Sequence, residues 1–324
     1  MTDETPKPTP PPGHRRWPRR LARVTIGLVG LVVFFILGIA PGWLVSMLVR
    51  GRNVYNDEEN KGLTPASFQL ASEDVSFKAT DGIALEGWWV PAAPARGTVV
   101  LVHGLNRSRI EMIRKVPFVH QHGWNALLYD SRHHGRSAGD RSSFGWFERL
   151  DVRAAVAEAR RRSPGPVVVW GISMGAAATV LAAGEDEKVA GVVADSSYRN
   201  LEDTVHHHLS AASRLRPWLR VLPTSLLAAE SLFWIRRFGG FDTRDADIVA
   251  AARKLAGRPA LFVSNAGDWR MPSEIAFELK AAAGERARVL VAPGKKHAGA
   301  FREAREAYES AVGQLLDDVL ISSS

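Results

Sequence analysis

Short, almost uninterrupted apolar runs alternate with helical patterns along most of the chain, and this alternation limits the choice of fold more than any other feature. Each run has six to eight residues, a length typical of a strand buried on both faces of a sheet. Strands that alternate with helices predict an α/β fold, a mostly parallel sheet with flanking helices. The runs are 97–104, 124–130, 166–171, 189–195, 259–265 and 287–293, and the helical patterns are 109–122, 147–162, 174–183, 273–283 and 300–317.

Two features interrupt the alternation. Residues 74–80 and 83–90 are strand-like and are joined at Asp81-Gly82, a strong signal for a tight turn, so an antiparallel hairpin is predicted at the start of the sheet. Residues 197–256 separate two predicted strands by some sixty residues. This interval is long enough to hold a helical cap inserted into the domain.

The composition excludes several classes of site. The chain has 324 residues and no Cys, which excludes disulfides, thiolate zinc sites and a cysteine nucleophile. The net charge is +8, of which residues 1–23 carry +4. Because the remaining +4 is spread over a large domain without a basic, aromatic-rich patch, no nucleic-acid partner is expected.

An uncharged segment, residues 24–49, lies between Arg23 and Arg50. As one helix it would be about 39 Å long, more than the roughly 30 Å of a hydrocarbon core, so it is predicted to be a transmembrane anchor. Pro41-Gly42 is expected to kink or end this helix. The alternative is a cleaved signal peptide with its cleavage site at Gly38–Ala40, but the apolar run exceeds the usual length, and we favour an uncleaved signal-anchor.

The basic residues before this segment predict its orientation. By the positive-inside rule they place residues 1–23, a disordered Pro-rich tail, in the cytoplasm and the large domain on the extracytoplasmic side of the cell membrane. We expect a linker over 50–72 and the α/β domain over 73–324, and removal of residues 1–49 is expected to leave a soluble, active domain. The basic residues are Arg15, Arg16, Arg19, Arg20 and Arg23.

A candidate nucleophile lies at the end of a predicted strand. Gly171-Ile172-Ser173-Met174-Gly175 has the pattern G-x-S-x-G and stands directly between a strand and an Ala-rich helix. That context predicts a nucleophile elbow, a sharp turn that lifts Ser173 above the sheet. Gly171 and Gly175 are expected there because a Cβ atom at either position would collide with neighbouring backbone.

A serine hydroxyl needs a base, and the base needs a carboxylate that holds its tautomer. His297 follows the last predicted strand, and Asp268 follows the one before it. The chain order Ser173, Asp268, His297 is the order expected when the nucleophile stands at such an elbow between a strand and a helix. Asp195, at the end of 189–195, is the alternative acid; we favour Asp268.

Two backbone N–H groups are expected to stabilise an oxyanion, because they are fixed in place and cannot lose their function by protonation. Met174 directly follows the predicted nucleophile, and Leu105 lies in the loop after the strand 97–104. His103 is expected to shape this loop. No metal ion and no cofactor are needed for such a site.

These motifs resemble the α/β-hydrolase superfamily over residues 72–317. Within it, the chain is similar to membrane-anchored, single-domain serine hydrolases with a BEM46-like or S9-peptidase-like core. Two positions depart from the usual pattern: His133 stands where Gly is common, and Ser264-Asn265 replaces a His-Gly-like pair. The motifs are LVHG (101–104), YDSRHHGRS (129–137), GISMG (171–175), GDWRMP (267–272) and the final His297.

The resemblance implies a serine hydrolase that cleaves carboxylic esters, as a carboxylesterase or lipase does, through an acyl-enzyme intermediate. The implied substrate is a small-molecule or lipid-like ester, and the resemblance implies no cofactor. Two alternatives stay open: a serine peptidase or amidase of the same fold, and a non-catalytic binding protein that keeps the fold alone.

Overall fold

One eight-stranded sheet forms the centre of the described part of the molecule. The computed structural model describes residues 19–51, 59–215 and 222–323. Outside these ranges lie residues 1–18 of the predicted tail, 52–58 of the predicted linker, 216–221 of the predicted cap and Ser324.

The sheet has the strand order β1-β2-β4-β3-β5-β6-β7-β8. β1 and β2 pair antiparallel with each other, β2 pairs antiparallel with β4, and the other neighbours are parallel. The predicted α/β fold with an antiparallel first hairpin is confirmed. The strands are β1 Glu73–Lys78, β2 Ala84–Val90, β3 Gly97–Val102, β4 Trp124–Tyr129, β5 Val167–Ile172, β6 Val189–Asp195, β7 Ala260–Asn265 and β8 Ala287–Ala292.

Eleven α-helices lie in the described ranges, and two predicted helices are broken in the structure. The pattern 109–122 becomes a 3₁₀ helix, Arg109–Lys115, followed by a short α-helix, because Pro117 cannot occupy the interior of a longer α-helix. The pattern 300–317 is divided at Ala304. The helices are α1 Arg19–Phe34, α2 Ala40–Arg50, α3 Val116–Gln121, α4 Glu148–Arg162, α5 Met174–Glu185, α6 Leu201–Leu215, α7 Thr224–Gly239, α8 Ile248–Arg253, α9 Glu274–Ala283, α10 Ala300–Glu303 and α11 Arg305–Ser323.

Apolar side chains fill both faces of the sheet. Every residue of β3, β4, β5 and β7 is buried, as their continuous apolar sequences predict. The cluster on one face includes α4, α5 and α9, and the cluster on the other includes α3 and α11. Each fully buried Val or Leu contributes about 1.5–3 kcal/mol relative to an exposed one. This rigid centre fixes the loops at the carboxyl ends of the parallel strands.

The apolar segment near the amino terminus is one long helix. α1 and α2 are joined by a π-helical turn, Phe35–Ile39, so Pro41 neither ends the helix nor interrupts it. The wider turn accommodates a proline that lacks an N–H group and would crowd the carbonyl four residues before it. Leu21–Arg50 has the length and composition to cross a membrane, which fits either an anchor or a signal sequence.

The last three turns of this helix pack against the globular domain. Pro41, Gly42, Val45 and Val49 are buried, and the two valines belong to the main apolar core. The contact is mainly with α7. The predicted boundary at residue 49 therefore falls at the end of a packed helix, whereas the described residues before Ala40 are mostly exposed.

Residues 59–72, the described part of the predicted linker, also pack on the domain. Arg114 Nε donates a 2.7 Å hydrogen bond to Asn60 Oδ1, and Asn60 is buried. Leu63 and Phe68 contact the apolar core. This segment therefore follows the surface of the domain.

Three α-helices lie between β6 and β7 in the described residues, and two of them form a cap. α6 and α7 pack against each other, and α7 also contacts α2. α8 instead packs against α5 and α9, so it belongs to the helical layer on the sheet. The range predicted for the cap, 197–256, therefore also includes α8, which belongs to the helical layer on the sheet.

Candidate active site

Ser173 stands at a sharp turn between β5 and α5. Its backbone has φ 53° and ψ −115°, a left-handed conformation that a non-glycine residue adopts only when its surroundings impose it. A Cβ atom at Gly171 would lie 2.2 Å from the carbonyl oxygen of Gly175, and one at Gly175 would lie 2.5 Å from that of Val102. Only glycine fits at either position, and the turn has the form expected of a nucleophile elbow.

A side chain from the loop after β8 contacts Ser173, and one from the loop after β7 contacts that side chain in turn. His297 Nε2 lies 2.9 Å from Ser173 Oγ, and His297 Nδ1 lies 2.7 Å from Asp268 Oδ2. The three residues come from the loops after β5, β7 and β8, which share one edge of the sheet because these strands are parallel. The predicted nucleophile, base and acid are therefore brought together in one cluster.

The orientation of Asp268 is fixed by its own loop. The backbone N–H groups of Arg270 and Met271 donate to Asp268 Oδ1, at 2.9 and 3.2 Å. Oδ2 is thereby left to face His297. Asp268 is 3% exposed, so its hydrogen bond to the imidazole is shielded from water.

This arrangement supports proton transfer from a serine hydroxyl. With Nδ1–H donating to Asp268, the Nε2 atom of His297 can accept the proton of Ser173 Oγ. The carboxylate then stabilises the imidazolium that forms. His297 is partly exposed, with 14% of its side chain accessible, so the cluster can be reached from solvent.

The loop after β3 passes close to the candidate nucleophile. A Cβ atom at Gly104 would lie 3.6 Å from Ser173 Cβ and 3.5 Å from the carbonyl oxygen of Ile172. The N–H group of Gly104 donates to Glu111 Oε2 at 2.8 Å. Leu105, the predicted donor to an oxyanion, follows directly, and Met174, the other predicted donor, begins α5.

Two histidines hold this loop in place through hydrogen bonds. His103 Nε2 accepts a 2.9 Å hydrogen bond from Ser131 N–H, and its Nδ1 lies 2.7 Å from the carbonyl oxygen of Gly104. His134 Nε2 accepts from Asn106 N–H at 3.0 Å. Burial, assisted by repulsion from His134, lowers the pKa of His103 to about 3. His103 therefore acts as a neutral support, as expected from the sequence.

His133 occupies a backbone conformation that favours glycine. Its φ is 63°, and Gly135, two residues later, has φ 47°. The residue that departs from the family's usual glycine thus keeps the left-handed turn that glycine would adopt easily.

Asp195, the alternative acid, takes part in a different network. Its Oδ2 accepts from Tyr308 OH at 3.0 Å, and its Oδ1 accepts from Ser196 Oγ at 2.9 Å. Burial raises the pKa of Asp195, against the attraction of Lys115. The carbonyl oxygen of Asp195 accepts from Ser173 N–H at 2.8 Å. Asp195 therefore lies beneath the elbow, and the Nδ1 atom of His297 pairs with Asp268.

Ser196 is a site residue that the sequence did not reveal. Its Oγ accepts a 3.2 Å hydrogen bond from the N–H group of Ala298, the residue after His297. Both Ser196 and Ala298 have positive φ, 58° and 55°. The contact joins residues 102 positions apart. The only local signal is a hydroxyl directly after a strand-ending acid.

The cap contacts the site through backbone atoms of the Asp268 loop. His207 Nε2 lies 2.6 Å from the carbonyl oxygen of Trp269, and His208 Nε2 lies 3.2 Å from that of Arg270. Both histidines come from α6. Over residues 19–51, 59–215 and 222–323, no three His, Asp or Glu side chains are grouped to hold a metal ion.

Three comparisons relate the chain to known proteins. A family model described as serine aminopeptidase, S33, matches residues 93–237. The YqkD protein of Bacillus subtilis (strain 168) is 26% identical over 245 residues, 74% of this chain and 77% of that protein. The thiohydrolase ApmlB of Arthrinium phaeospermum is 34% identical over 129 residues, 38% of this chain and 42% of that protein.

A solved structure resembles most of the chain. The Pyrococcus furiosus esterase Pf2001 aligns with a TM-score of 0.64 at 25% identity, covering 79% of this chain and 94% of the esterase. The aligned region is large enough to include the sheet and its flanking helices. The sheet order, the elbow between β5 and α5 and these similarities together show that the chain has the α/β-hydrolase fold.

Proposed function

We propose that the protein is a membrane-anchored serine hydrolase that cleaves carboxylic esters, with Ser173 as nucleophile, His297 as base and Asp268 as acid. The observation that carries the proposal is the pair of hydrogen bonds that His297 makes, 2.9 Å to Ser173 Oγ and 2.7 Å to Asp268 Oδ2. Such a chain of contacts activates a hydroxyl that is otherwise a weak nucleophile.

The reaction proceeds in two halves. Ser173 Oγ attacks the ester carbonyl while His297 Nε2 takes its proton, and the N–H groups of Leu105 and Met174 stabilise the oxyanion. Collapse of the tetrahedral intermediate releases the alcohol, which receives the proton from His297. Water, activated by His297, then attacks the acyl-enzyme, and the carboxylic acid leaves as Ser173 regains its proton.

The similarity to an esterase favours esters as substrates. Pf2001, which aligns along 79% of this chain, is an esterase. An ester also makes the smaller demand on the site, because its alcohol is a better leaving group than an amine. We infer that small-molecule or lipid-like esters are the substrates, and that no metal or organic cofactor takes part.

A second candidate function is peptide or amide hydrolysis. The family model that matches residues 93–237 is described as a serine aminopeptidase. The same cluster could perform this reaction if His297 protonates the leaving amine. The two functions differ in the leaving group and not in the nucleophile, so a comparison of matched ester and amide substrates distinguishes them.

Membrane anchoring is the second part of the proposal. Leu21–Arg50 is long and apolar enough to cross a bilayer, and 6% of its most apolar window is buried in the protein. The basic residues before it place the amino terminus in the cytoplasm and the hydrolase domain on the extracytoplasmic side. The apolar helix stays uncleaved.

The test is hydrolysis of p-nitrophenyl esters, from acetyl to palmitoyl, by the full chain in detergent beside its Ser173→Ala variant. Both proteins are also labelled with a fluorophosphonate, and aminoacyl p-nitroanilides serve as the matched amides. Ester turnover and labelling that both disappear in Ser173→Ala support the proposal. Faster amide than ester cleavage favours the peptidase. Wild-type protein that neither labels nor turns over either class contradicts both and favours a non-catalytic binding protein.

A further inference from the structure

The helix pair α2 and α7 connects the apolar helix to the cap. A Cβ atom at Gly42 would lie 2.9 Å from the Trp234 indole, so the two helices touch at this point. Eight residues later Arg50 lies over the Phe238 ring, 4.8 Å from its centroid. Because Gly42 precedes Arg50 and Trp234 precedes Phe238, the contacts advance in the same direction along both helices. The amino-terminal half of α7 therefore points back along the apolar helix.

The length of the free part of the apolar helix indicates where a bilayer would end. Residues 21–39 precede the packed segment that begins near Pro41, and most of them are exposed. Nineteen helical residues span about 28 Å, close to the roughly 30 Å hydrocarbon core of a bilayer. The contact between α2 and α7 thus begins at the depth where the hydrocarbon gives way to headgroups.

α7 exposes two large apolar side chains at this depth. Leu226 and Phe233 are 45% and 57% exposed, and because they are seven residues apart they share one side of the helix. Arg237, also exposed, follows one turn later on that side. Glu230, the one acidic residue of α7, lies between Leu226 and Phe233 on the same side, with its Oε2 atom buried. Apolar side chains followed by a basic one fit a helix end at the boundary between hydrocarbon and headgroups, because a long arginine side chain can reach the headgroups.

The neighbouring surface of the apolar helix has the same character. Trp43 is 62% exposed and Leu44 is 55% exposed, in the first turn after the free part. Tryptophan is enriched at the boundary between hydrocarbon and headgroups. The exposed faces of α2 and α7 therefore belong to the same layer of a bilayer.

We propose that the amino-terminal half of α7 docks on the bilayer beside the apolar helix, with Leu226 and Phe233 among the acyl chains and Arg237 at the lipid phosphates. This inference rests on the membrane anchoring of the proposed function. Lipid is the occupant because a helix that spans the bilayer brings this face to the bilayer surface.

Docking would hold the cap between the membrane and the candidate active site. α7 packs on α6, and His207 and His208 of α6 contact the loop of Asp268. A lipid-like ester leaving the bilayer then meets the cap first. The site would take substrates from the membrane surface.

The absence of Cys from the chain allows a direct test by single-cysteine labelling. Leu226→Cys and Phe233→Cys, prepared in the full chain, carry a polarity-sensitive bimane fluorophore in phosphatidylcholine–phosphatidylglycerol vesicles. Quenching is measured with nitroxide-labelled lipids and with aqueous iodide. Phe277→Cys on α9, 55% exposed, is the matched control on another surface, and Leu28→Cys, 58% exposed, reports the apolar helix itself.

Labels at 226 and 233 are expected to be quenched by shallow nitroxide lipids and protected from iodide, and the label at 277 is expected to behave in the opposite way. If the label at 28 is quenched by lipid while those at 226 and 233 respond only to iodide, docking is overturned and anchoring stands. If the label at 28 is not quenched by lipid, the result contradicts membrane anchoring and therefore also the docking that rests on it. Protection at 226 and 233 without lipid quenching, together with disulfide-linked dimers of the unlabelled variants after oxidation with copper–phenanthroline, would assign this face to a second copy and overturn the proposal.

Discussion

The backbone N–H group of Ser142 donates a 2.8 Å hydrogen bond to the carbonyl oxygen of Val49, which joins the end of the apolar helix to a loop of the hydrolase domain. The same serine donates from Oγ to Glu148 Oε1 at 2.8 Å and lies 3.3 Å from Met174 Sδ. Met174 is the residue after the candidate nucleophile. Ser142 therefore connects the end of the apolar helix to a residue of the candidate active site.

Truncation should distinguish a tether from a structural element. A chain that begins at Pro41 keeps the buried contacts of Val45 and Val49, whereas a chain that begins at Gly51 loses them together with the hydrogen bond to Ser142. Because each buried Val contributes about 1.5–3 kcal/mol, the shorter chain is expected to be several kcal/mol less stable. Thermal unfolding of the two chains measures the difference. Equal Tm values would mean that the segment is a dispensable tether.

Gly42 offers a point test of the same interface. In Gly42→Leu the new side chain would meet the Trp234 indole at under 3 Å, and such overpacking costs about 1–3 kcal/mol. Gly27→Leu is the matched control, since nothing lies within 4 Å of a Cβ atom there. Thermal unfolding of the two variants in one detergent should show a lower Tm for Gly42→Leu alone. An equal decrease of Tm in both variants would mean that the loss of stability arises within the apolar helix and not from its contact with α7.

The sheet was predictable because local signals and global burial agree. The apolar runs of β3, β4, β5 and β7 are buried on both faces, so every residue in them carries the same signal. Asp81-Gly82 predicts the first hairpin, where Gly82 has φ 87°. The meeting of Ser173 with the loops of Asp268 and His297 follows from parallel topology, and their roles stay predictions.

Other features were not predictable because their sequence signal is ambiguous. The sequence of an apolar helix is the same whether lipid or protein covers the helix, so it does not indicate that Val45 and Val49 are buried against α7. The π-helical turn before Pro41 depends on how the backbone adjusts to the proline. The contact of Ser196 with Ala298 requires two distant loops to meet, and neither loop indicates the other.

Removal of the proposed catalytic groups should abolish turnover without unfolding the protein. Ser173→Ala and His297→Ala are each expected to lower kcat by at least about a thousandfold, as in other serine triads. Asp268→Asn should be similarly severe, because an amide that donates to Nδ1 favours the wrong tautomer of His297. The measurement is ester hydrolysis, with thermal unfolding as a check on folding. A near-normal Asp268→Asn beside an inactive, folded Asp195→Asn would transfer the acid role to Asp195.

Ser196 is expected to position the base through the backbone of its neighbour. In Ser196→Ala the N–H group of Ala298 loses its 3.2 Å partner, and a lost hydrogen bond costs about 1 kcal/mol. We expect kcat to fall about fivefold to tenfold and KM to change little, because the His297 loop becomes less ordered while the substrate surface is unchanged. Ser197→Ala is the control, since Ser197 Oγ donates to the carbonyl oxygen of Tyr198 and not to the His297 loop. Equal losses in the two variants would indicate a general packing effect.

His103 should make the protein sensitive to mild acid. Burial holds its pKa at about 3 in the folded protein, against an ordinary value of 6.5, so between these pH values the unfolded chain binds a proton that the folded protein does not. The free energy of unfolding therefore falls as the pH falls through this window, by about 2 kcal/mol from this residue between pH 7 and pH 5. His103→Gln removes the titration, and its urea-unfolding curves should change correspondingly less between the two pH values than those of the wild type. His206→Gln, which replaces an exposed histidine, should keep the wild-type pH dependence. A wild-type pH dependence in His103→Gln would show that His103 is not the residue that resists protonation.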